Sequence, residues 1–507
     1  MRIALRADAS AEMGIGHVTR CLALAQALEG AGTESCLLSR SLGVDTQALA
    51  RRAGVAHQSL AAPSGAGGSK RGSPRHADWA QVSWEQDAAQ TAAALADWSP
   101  AWVVVDHYAF DACWHREVGA RLRTRIAVVD DLGDRALDAA LLIDQNLAVD
   151  FRAKYSGRWP ADRPLLGGPR YALLRPEYAA APKYSWREEV RSIGIFLGGA
   201  DIAGLSARAL EACRSVAGFR GPIEIVTTSA NPELATLRQA CADSTGTTLA
   251  VDLRDLSDFF ARHDLQIGAG GGASWERCCI GVPTLTLVGA ENQAVVVQAL
   301  VAGGITRTAR STTVEDIGDA VARLIEDAPD RRAMVERSRA QVDGRGALRV
   351  AAALLGAELR LRPAVESDAC IAHKWRQDPR TRSRFRDSRE VPWEAHTSWW
   401  KEALQDPLRR LLVACCGRLP VGILRFDLSA SSAEISLYLD PELTGIGLGT
   451  RLLVEAKRWI AAEEPSLRRL TAHVMEGNSV SAAAFSSAGF TRVGALDWTW
   501  ETSSAQR

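Results

Sequence analysis

The sequence predicts an α/β protein: two facing, doubly wound, Rossmann-like domains, followed by a smaller α+β domain. Short apolar strands alternate with helical patterns in two successive arrays, separated by an irregular stretch at 171–186. Alternation of this kind is typical of parallel sheets covered by helices on both faces. A new unit of roughly 150 residues begins after Glu358, which is enough for an independent domain.

The first array begins with a strand in RIALRAD and a helix that starts near His17 and keeps helical apolar spacing to Leu28. Three further strands are predicted, in AWVVVDHY, RIAVVDD and AALLIDQN. A helix over 111–122 separates the first two of them. The Gly-, Ser- and Pro-rich stretch 61–76 predicts a surface loop.

The second array repeats this pattern after the irregular stretch. Its predicted strands lie in SIGIFLGGAD, PIEIVTTSA, TTLAVDL, DLQIGAGGGAS and VPTLTLVG. We expect domain boundaries at 1–165, 166–356 and 357–507. Two facing doubly wound domains predict a cleft between them, where such folds bind ligands.

Composition excludes several classes of function. The 60 basic residues balance the 60 acidic ones, which gives no electrostatic case for nucleic acid or an anionic membrane as partner. No apolar run reaches the ~20 residues of a membrane helix, and the charged start MRIALRADAS is unlike a signal peptide. The ten cysteines lack metal-ligand spacing, so we expect reduced thiols, no metal and a cytoplasmic location.

His17 stands between a glycine turn and a helix. Gly14 and Gly16 allow a tight turn at the carboxyl end of the first strand, where open α/β sheets bind ligands. The positive end of the helix dipole disfavours imidazolium, and a neutral imidazole can take a proton from water. The residues alone leave open a simpler alternative, in which His17 only caps the turn.

Six motifs in order, over about residues 1–345, resemble one enzyme family. They are RADASAEMGIGHVTRCLALAQAL, VVVDHYAFDACWH, VVDDLGDR, LLIDQNL, GPRYALLRPEY and IGAGGGASWERCCIGVPTLTLVGAENQ. The family is the UDP-sugar hydrolase of pseudaminic acid biosynthesis, which is related to GT-B glycosyltransferases. The resemblance implies metal-independent, inverting hydrolysis of UDP-2,4-diacetamido-2,4,6-trideoxy-β-L-altropyranose to the free sugar and UDP. It also implies that His17 is the general base.

The segment GAGGGASWE follows a predicted strand and opens a helix, which favours a diphosphate cradle of backbone N–H groups. Ser274 is expected to cap this helix and contact phosphate. The resemblance adds Glu276 for the ribose, and Asn292 with Gln293 for the sugar or uridine. The predicted substrate-binding residues are Gly16, Gly199, Gly270, Gly271, Ser274, Glu276, Asn292 and Gln293.

Polar residues at strand ends are further candidates near His17. Tyr108 and Asp8 are predicted to contact the sugar or orient His17, with Asp106 ranked below them. A helix cap for Asp8, and loop packing for Tyr108 and Asp106, are the alternatives. His107 is expected to be structural or at the surface, like His115.

Near the C-terminus, 434–460 and 478–490 resemble motifs A and B of the GNAT acetyltransferases, which implies acetyl-CoA as cofactor. The loop TGIGLGT presents backbone amides suited to a pyrophosphate. Thr444 replaces the usual Arg or Gln, and Phe485 the usual tyrosine acid. The predicted cofactor-binding residues are Thr444, Gly445, Gly447, Gly449, Thr450 and Asn478. Glu434 is the candidate base, ahead of His473, and both have an alternative role as ordinary strand residues.

The segment from 361 to 400 looks like the GNAT subgroup that acetylates nucleotide-linked amino sugars or protein N-termini. Together the two resemblances imply a bifunctional enzyme that acetylates a UDP-4-amino sugar and then removes UDP. Its partners are UDP-linked amino sugars and other enzymes of the same pathway. Three alternatives stay open: a glycosyltransferase, a non-catalytic UDP-sugar binding module and a protein N-terminal acetyltransferase.

Overall fold

The computed structural model describes residues 1–63, 74–290 and 293–501. The chain divides into two compact units, Met1–Ala27 with Glu34–Leu348, and Leu28–Thr33 with Arg349–Arg507. Two parallel sheets belong to the first unit and a mixed sheet to the second. The predicted fold class, two doubly wound domains followed by an α+β domain, is therefore confirmed.

The first sheet has seven parallel strands in the order β3-β2-β1-β4-β5-β6-β7. Its strands are β1 (Arg2–Arg6), β2 (Glu34–Arg40), β3 (Ala56–Leu60), β4 (Trp102–Val105), β5 (Arg125–Val129), β6 (Leu141–Asp144) and β7 (Leu165–Gly167). The helices are α1 (Gly16–Gly30), α2 (Thr46–Ala53), α3 (Trp84–Leu95), α4 (Ala112–Leu122), α5 (Phe151–Lys154) and α6 (Pro176–Ala180). The order reverses between β1 and β4, the kind of position where open sheets bind ligands.

Several strands of this sheet contain continuous apolar runs because both faces of the sheet are covered. In β4 and β6 every residue is buried. One face packs against Phe110, Trp114 and Val118. The neighbours of β1 are fixed in register, since Ile3 pairs with Ser35 of β2 on one side and with Trp102 of β4 on the other.

The second sheet is also parallel, in the order β10-β9-β8-β11-β12. Its strands are β8 (Ile193–Phe196), β9 (Ile223–Thr227), β10 (Thr247–Val251), β11 (Leu265–Ala269) and β12 (Thr284–Leu287). The helices are α7 (Leu205–Glu211), α8 (Leu234–Asp243), α9 (Ser257–Arg262), α10 (Ala273–Ile280), α11 (Ala294–Ala302), α12 (Val314–Glu326), α13 (Ala328–Gln341) and α14 (Gly346–Leu355). Here the strand order reverses between β8 and β11.

The third sheet is mixed, in the order β13-β14-β15-β16-β17-β19-β18. Its strands are β13 (Leu359–Pro363), β14 (Arg409–Cys416), β15 (Leu419–Leu428), β16 (Ser432–Leu439), β17 (Arg469–His473), β18 (Thr491–Arg492) and β19 (Asp497–Glu501). The helices are α15 (Ala369–Gln377), α16 (Pro379–Arg382), α17 (Trp393–Gln405), α18 (Leu448–Glu463) and α19 (Ser479–Ser487). Within this sheet only β16 and β17 are parallel neighbours.

Most of the predicted surface loop, residues 64–73, lies outside the described residues. After it comes a short 3-10 helix, Ala77–Ala80. No helix in the described part of the chain is long and apolar enough to cross a membrane. In the same part, no group of three or more His, Cys, Asp or Glu side chains is arranged to hold a metal ion.

Candidate functional site

His17 forms a hydrogen bond with Asp106 at the reversal point of the first sheet. His17 lies in the first turn of α1, which follows β1, and Asp106 comes directly after β4. The His17 Nδ1 atom is 2.6 Å from Asp106 Oδ1, and both side chains are buried. Burial raises the pKa of Asp106, but Arg20 and His17 outweigh burial and hold the pKa below its ordinary value. An ionised carboxylate only accepts hydrogen bonds, so the Nδ1 atom of His17 carries the proton.

Arg20 lies one helical turn after His17 and clamps two carboxylates. Its Nη2 atom donates to Asp106 Oδ1 at 2.7 Å, its Nε atom donates to Oδ2, and its Nη1 atom donates to Asp131 Oδ2 at 3.1 Å. Asp131 also accepts a hydrogen bond from the Tyr108 hydroxyl. Burial raises the pKa of Tyr108 well above its ordinary value, and Asp131 raises it further. Tyr108 is therefore a fixed, neutral donor to Asp131.

Aromatic rings surround the His17 imidazole. The Tyr108 ring stands edge-on to it, with ring centroids 4.6 Å apart, and the Trp79 ring is 6.3 Å away. Trp79 belongs to the 3-10 helix Ala77–Ala80, and its Nε1 atom donates to Glu12 Oε1 at 3.0 Å. This contact ties the helix to the loop before α1. The sequence had given no signal for Trp79 at this position.

Asp8 lies in a separate, fully buried ion-pair network. Its carboxylate accepts both Nη groups of Arg6 and the backbone N–H of Arg40, the latter at 2.6 Å. Burial raises the pKa of Asp8, but the Arg6 charge more than offsets this and holds it below its ordinary value. Arg6 and Arg40 also share Asp87, each through an Nη2 atom 2.6 Å from Oδ2. The structure therefore brings Asp106, rather than Asp8, to the His17 ring.

The two neighbouring histidines are both buried. His107 is 2% exposed, and its Nε2 atom lies 3.3 Å from Asp8 Oδ2. His115 is 1% exposed, on α4, and its Nδ1 atom accepts the backbone N–H of Asp138. Burial lowers the pKa of both imidazoles, to about 3 for His115. These contacts give both residues a structural role.

Two glycine turns lie at the reversal point of the second sheet. Gly199 follows β8, and its carbonyl accepts the backbone N–H and the hydroxyl of Thr228. Gly270 and Gly271 follow β11 and precede α10. A Cβ at Gly270 would clash with Val297, whereas a Cβ at Gly271 would meet no atom nearer than 3.7 Å, on Gln293. Only glycine fits at Gly270 without displacing α11.

The hydroxyl of Ser274 turns into the protein. It donates to Ala269 O at 3.2 Å and accepts from Arg277 Nη2 at 3.2 Å. The N-cap of α10 is Gly272, with no side-chain cap, so the expectation that Ser274 caps this helix is wrong. The reason is that Ser274 is already inside the first helical turn and only 3% exposed.

Gln293 and Glu276, two further substrate-site candidates, lie on the helices that follow the glycine loop. Gln293 is the N-cap residue of α11, and its Oε1 atom accepts the backbone N–H of Gly289 at 3.1 Å. Burial raises the pKa of the Glu276 carboxyl, while Tyr178 and Arg175 act in the opposite direction. Asn292 lies outside the described residues. Gly16 is exposed as the first residue of α1.

A hydrogen bond connects the glycine-loop helix to the first sheet. Trp275 of α10 donates from Nε1 to Asn146 Oδ1 at 3.2 Å, and Asn146 lies just beyond β6. Both residues are buried. The carboxyl edge of the first sheet and the helix after β11 are therefore in direct contact within this unit.

In the third sheet, β16 and β17 diverge. They pair only over Ser432–Glu434 and Arg469–Thr471, although both strands continue further. Glu434 stands at the last pair, and Arg386 Nη2 lies 3.4 Å from its Oε1 atom. His473 is two residues beyond the last pair, and its Nδ1 atom lies 3.1 Å from Asp497 Oδ1.

The glycine loop after β16 leads into α18. Gly445 and Gly447 both have φ of 81°, a conformation that favours glycine, and Gly447 is the N-cap residue without a side-chain cap. Thr444 is exposed, and its hydroxyl donates to Pro441 O at 3.2 Å. Gly449 and Thr450 form the first helical turn. Asn478 instead caps α19, accepting the backbone N–H of Ser481 at 3.3 Å.

A cavity of about 380 Å³ opens beside the same sheet. Its walls are largely aromatic, and two guanidinium groups, Arg376 and Arg425, also line it. No carboxylate is among the described residues that line it. The aromatic lining residues are Phe385, His396, Trp399, Trp400 and Tyr438.

Residues 358–491 match the family model described as the acetyltransferase (GNAT) domain. The part of the chain that contains the third sheet is therefore a GNAT domain. Strands β16 and β17 of this domain pair over only three residues and then separate before the glycine loop, which fits an extended cofactor chain ending in a pyrophosphate. Phe485 packs in the core of this domain against Phe490 and Trp498, so it offers no proton to a leaving group.

One curated relative is similar to part of this chain. The spore coat polysaccharide biosynthesis protein SpsG of Bacillus subtilis (strain 168) is 28% identical over 192 residues, which is 37% of this chain. The chain spans 57% of that protein's length. An identity of 28% over 37% of the chain shows that the two proteins are similar in this segment.

Two solved structures are similar to parts of this chain. MurG of Acinetobacter baumannii has a TM-score of 0.47 and 14% identity, covering 69% of this chain and 98% of its own. Spermidine N-acetyltransferase of Vibrio cholerae, solved with CoA and spermine, has a TM-score of 0.27 and 16% identity, covering 29% and 96%.

Proposed function

We propose that residues 1–345 hydrolyse a UDP-linked 2,4-diacetamido-2,4,6-trideoxy sugar, and that the GNAT domain acetylates its 4-amino precursor. The observation that carries the hydrolase proposal is the His17–Asp106 hydrogen bond at the reversal point of the first sheet. Because Asp106 holds the proton on Nδ1, the Nε2 lone pair of His17 is available to accept a proton from water.

The proposed hydrolysis needs no reactant other than the UDP-sugar and water. Water attacks the anomeric carbon on the face opposite UDP, its proton passes to His17 Nε2, and the bond between C1 and the phosphate oxygen breaks. UDP leaves with the electron pair of that bond. The glycine loop at Gly270 and the start of α10 offer backbone N–H groups that would stabilise its diphosphate.

Two further observations support a nucleotide sugar as the substrate. The Trp275–Asn146 hydrogen bond links the glycine-loop helix to the carboxyl edge that carries His17, which suits one ligand reaching both sheets. The similarity to SpsG, whose printed name refers to polysaccharide biosynthesis, favours carbohydrate chemistry. Trp79 and the Tyr108 ring form an aromatic wall beside His17 that suits the apolar face of a deoxy sugar.

The lining of the GNAT cavity supports an anionic acceptor. Its aromatic walls suit a uracil ring, and Arg376 and Arg425 suit a diphosphate, whereas a polyamine would need carboxylates. When bound, acetyl-CoA would supply the acetyl group. Glu434, at the point where β16 and β17 separate, is placed to take the proton that the attacking amine loses.

A proton NMR time course of the full chain with UDP-4-amino sugar and acetyl-CoA tests both halves. We expect acetylated nucleotide first, then UDP and the free diacetamido sugar. His17→Ala should stop at the acetylated nucleotide, and Glu434→Gln should slow acetylation while leaving hydrolysis of pre-acetylated substrate intact.

The same experiment separates the alternatives. If pre-acetylated substrate yields no UDP without an added sugar or lipid acceptor, the hydrolase proposal is wrong and a glycosyltransferase is favoured. Tight binding with no turnover in any sample would indicate a binding module. Faster acetylation of peptide N-termini than of the amino sugar would overturn the acceptor assignment.

A further inference from the structure

Arg277 carries a buried charge beneath the glycine-rich loop. It lies on α10 and is 2% exposed. Among the residues that the structure describes, it forms no ion pair with a carboxylate. Burial lowers its pKa to about 10, which leaves the guanidinium charged at neutral pH. An unpaired buried charge is unfavourable unless something balances it.

The guanidinium packs directly against the loop. Its Nη2 atom donates to Ala269 O at 2.7 Å and to Ser274 Oγ at 3.2 Å. A Cβ at Gly268 would clash with the Nη1 atom. The Nε and Nη1 atoms have no hydrogen-bond partner within the described structure. Arg277 thus holds both ends of the turn that runs from β11 into α10.

The space behind the guanidinium cannot supply the missing negative charge. It is a cavity of about 10 Å³, a size that suits one water molecule. Its polar lining, besides Arg277 itself, consists of hydroxyl groups and the Cys278 thiol, and burial raises the pKa of that thiol to about 12, so it is neutral. Several of the hydroxyls already donate to carbonyl oxygens. A water molecule in this cavity could accept a hydrogen bond from Arg277 and donate its own hydrogens to the lone pairs of these hydroxyls. The lining hydroxyls are those of Ser274, Thr284, Thr286, Thr306 and Ser338.

We propose that Arg277 is a positioning residue for the diphosphate of the nucleotide: it shapes the loop from beneath and supplies the charge that a bound diphosphate balances. This rests on the proposed function, in which the glycine loop binds UDP. The Glu276 carboxyl attracts this charge without forming an ion pair, and a bound anionic ligand would relieve the unfavourable charge further. The benefit should therefore appear for UDP and be absent for uridine, which has no phosphate.

Calorimetric titration of the full chain with UDP and with uridine tests this. For Arg277→Met we expect UDP affinity to fall about tenfold or more, while uridine affinity changes less than about twofold. The melting temperature without ligand should stay equal or rise, because an apolar side chain replaces an unpaired buried charge. Arg277→Lys should restore part of the UDP affinity.

Other outcomes overturn the proposal. Equal weakening of UDP and uridine, or a lower melting temperature with unchanged UDP affinity, would make Arg277 purely structural. Wild-type protein that binds UDP no better than uridine would also overturn it. Wild-type protein that prefers UDP yet releases none from the UDP-sugar would instead contradict the hydrolase proposal and leave Arg277's role intact.

Discussion

His17 Nδ1 lies 2.6 Å from Asp106 Oδ1, and the two residues come from opposite sides of the point where the strand order of the first sheet reverses. His17 lies in α1, which follows β1, and Asp106 comes directly after β4. Because β1 and β4 are neighbours, residues 89 positions apart in sequence share one hydrogen bond. The pairing of β1 with β4 thereby brings together the His17 imidazole and the Asp106 carboxylate that fixes its proton.

Asp106→Asn should impair hydrolysis through this hydrogen bond. An asparagine can donate to Nδ1, which favours the tautomer with the proton on Nε2 and removes the basic lone pair. We expect kcat for UDP release to fall by about 10²–10⁴ with little change in KM, measured with pre-acetylated substrate. Asp131→Asn is the matched control, since Asp131 binds Arg20 without touching His17, and its loss should be smaller. Equal losses would contradict this role for Asp106.

Asp87→Asn should destabilise the first unit. Asp87 is fully buried and accepts from Arg6 and Arg40, so the substitution leaves two buried guanidinium groups with Asp8 as the remaining carboxylate of the network. Breaking a buried ion pair typically costs about 3–5 kcal/mol. Urea unfolding should show a loss of this size, against at most about 0.5 kcal/mol for the exposed Glu117→Gln. A loss as small as the control's would mean that the arginines find other partners.

The same network explains why one strand of the first sheet was not predicted. Strands β1, β4, β5 and β6 were predicted, whereas β2, β3 and β7 were missed. In β2, Ser35, Ser39 and Arg40 interrupt the apolar pattern. Those side chains are buried nonetheless. Arg40 is held by Asp87, 47 residues away, and Ser39 lies 2.6 Å from the Thr46 hydroxyl. Contacts of this kind, between side chains of different elements, leave no apolar periodicity in the sequence.

The candidate site also has features that the sequence could predict and features that it could not. Glycine turns followed by helices, around His17 and Gly270, depend on local chain geometry and could be predicted from short motifs. The Asp106 contact, and the place of Trp79 beside His17, depend on which strands and loops become neighbours. Ser274 was misjudged because its cap role depends on where α10 begins.

Gly270→Ala and Gly271→Ala should have different effects. A Cβ at Gly270 clashes with Val297 of α11, so we expect a loss of about 1–3 kcal/mol in stability and weaker UDP binding. At Gly271 the nearest atom would be 3.7 Å away, which is ordinary contact. Gly271→Ala should therefore keep the melting temperature of the wild type and change only UDP affinity. Unchanged UDP affinity in Gly271→Ala would argue against diphosphate at this loop.

Asp144 should make the stability of the first unit depend on pH. It ends β6, is fully buried, and accepts from Lys154 Nζ at 2.6 Å and from the Tyr155 hydroxyl at 3.0 Å. Burial raises the pKa of Asp144 to about 6, because it outweighs the attraction of Lys154. The folded protein therefore holds a proton on Asp144 at pH values where the unfolded chain, with an ordinary pKa near ~3.9, has already lost it.

The sign of the effect follows from this difference. Between about pH 4 and pH 6 the folded state binds more protons, so stability falls as pH rises through that window and levels off above it. A raised pKa of this size changes the free energy of unfolding by at most about 3 kcal/mol across the window. Asp144→Asn removes this titration, while the loss of the Lys154 contact is nearly constant with pH. The melting temperature of the wild type, relative to Asp144→Asn, should fall from pH 4.5 to pH 7.5 in thermal scans, and parallel profiles would contradict the raised pKa.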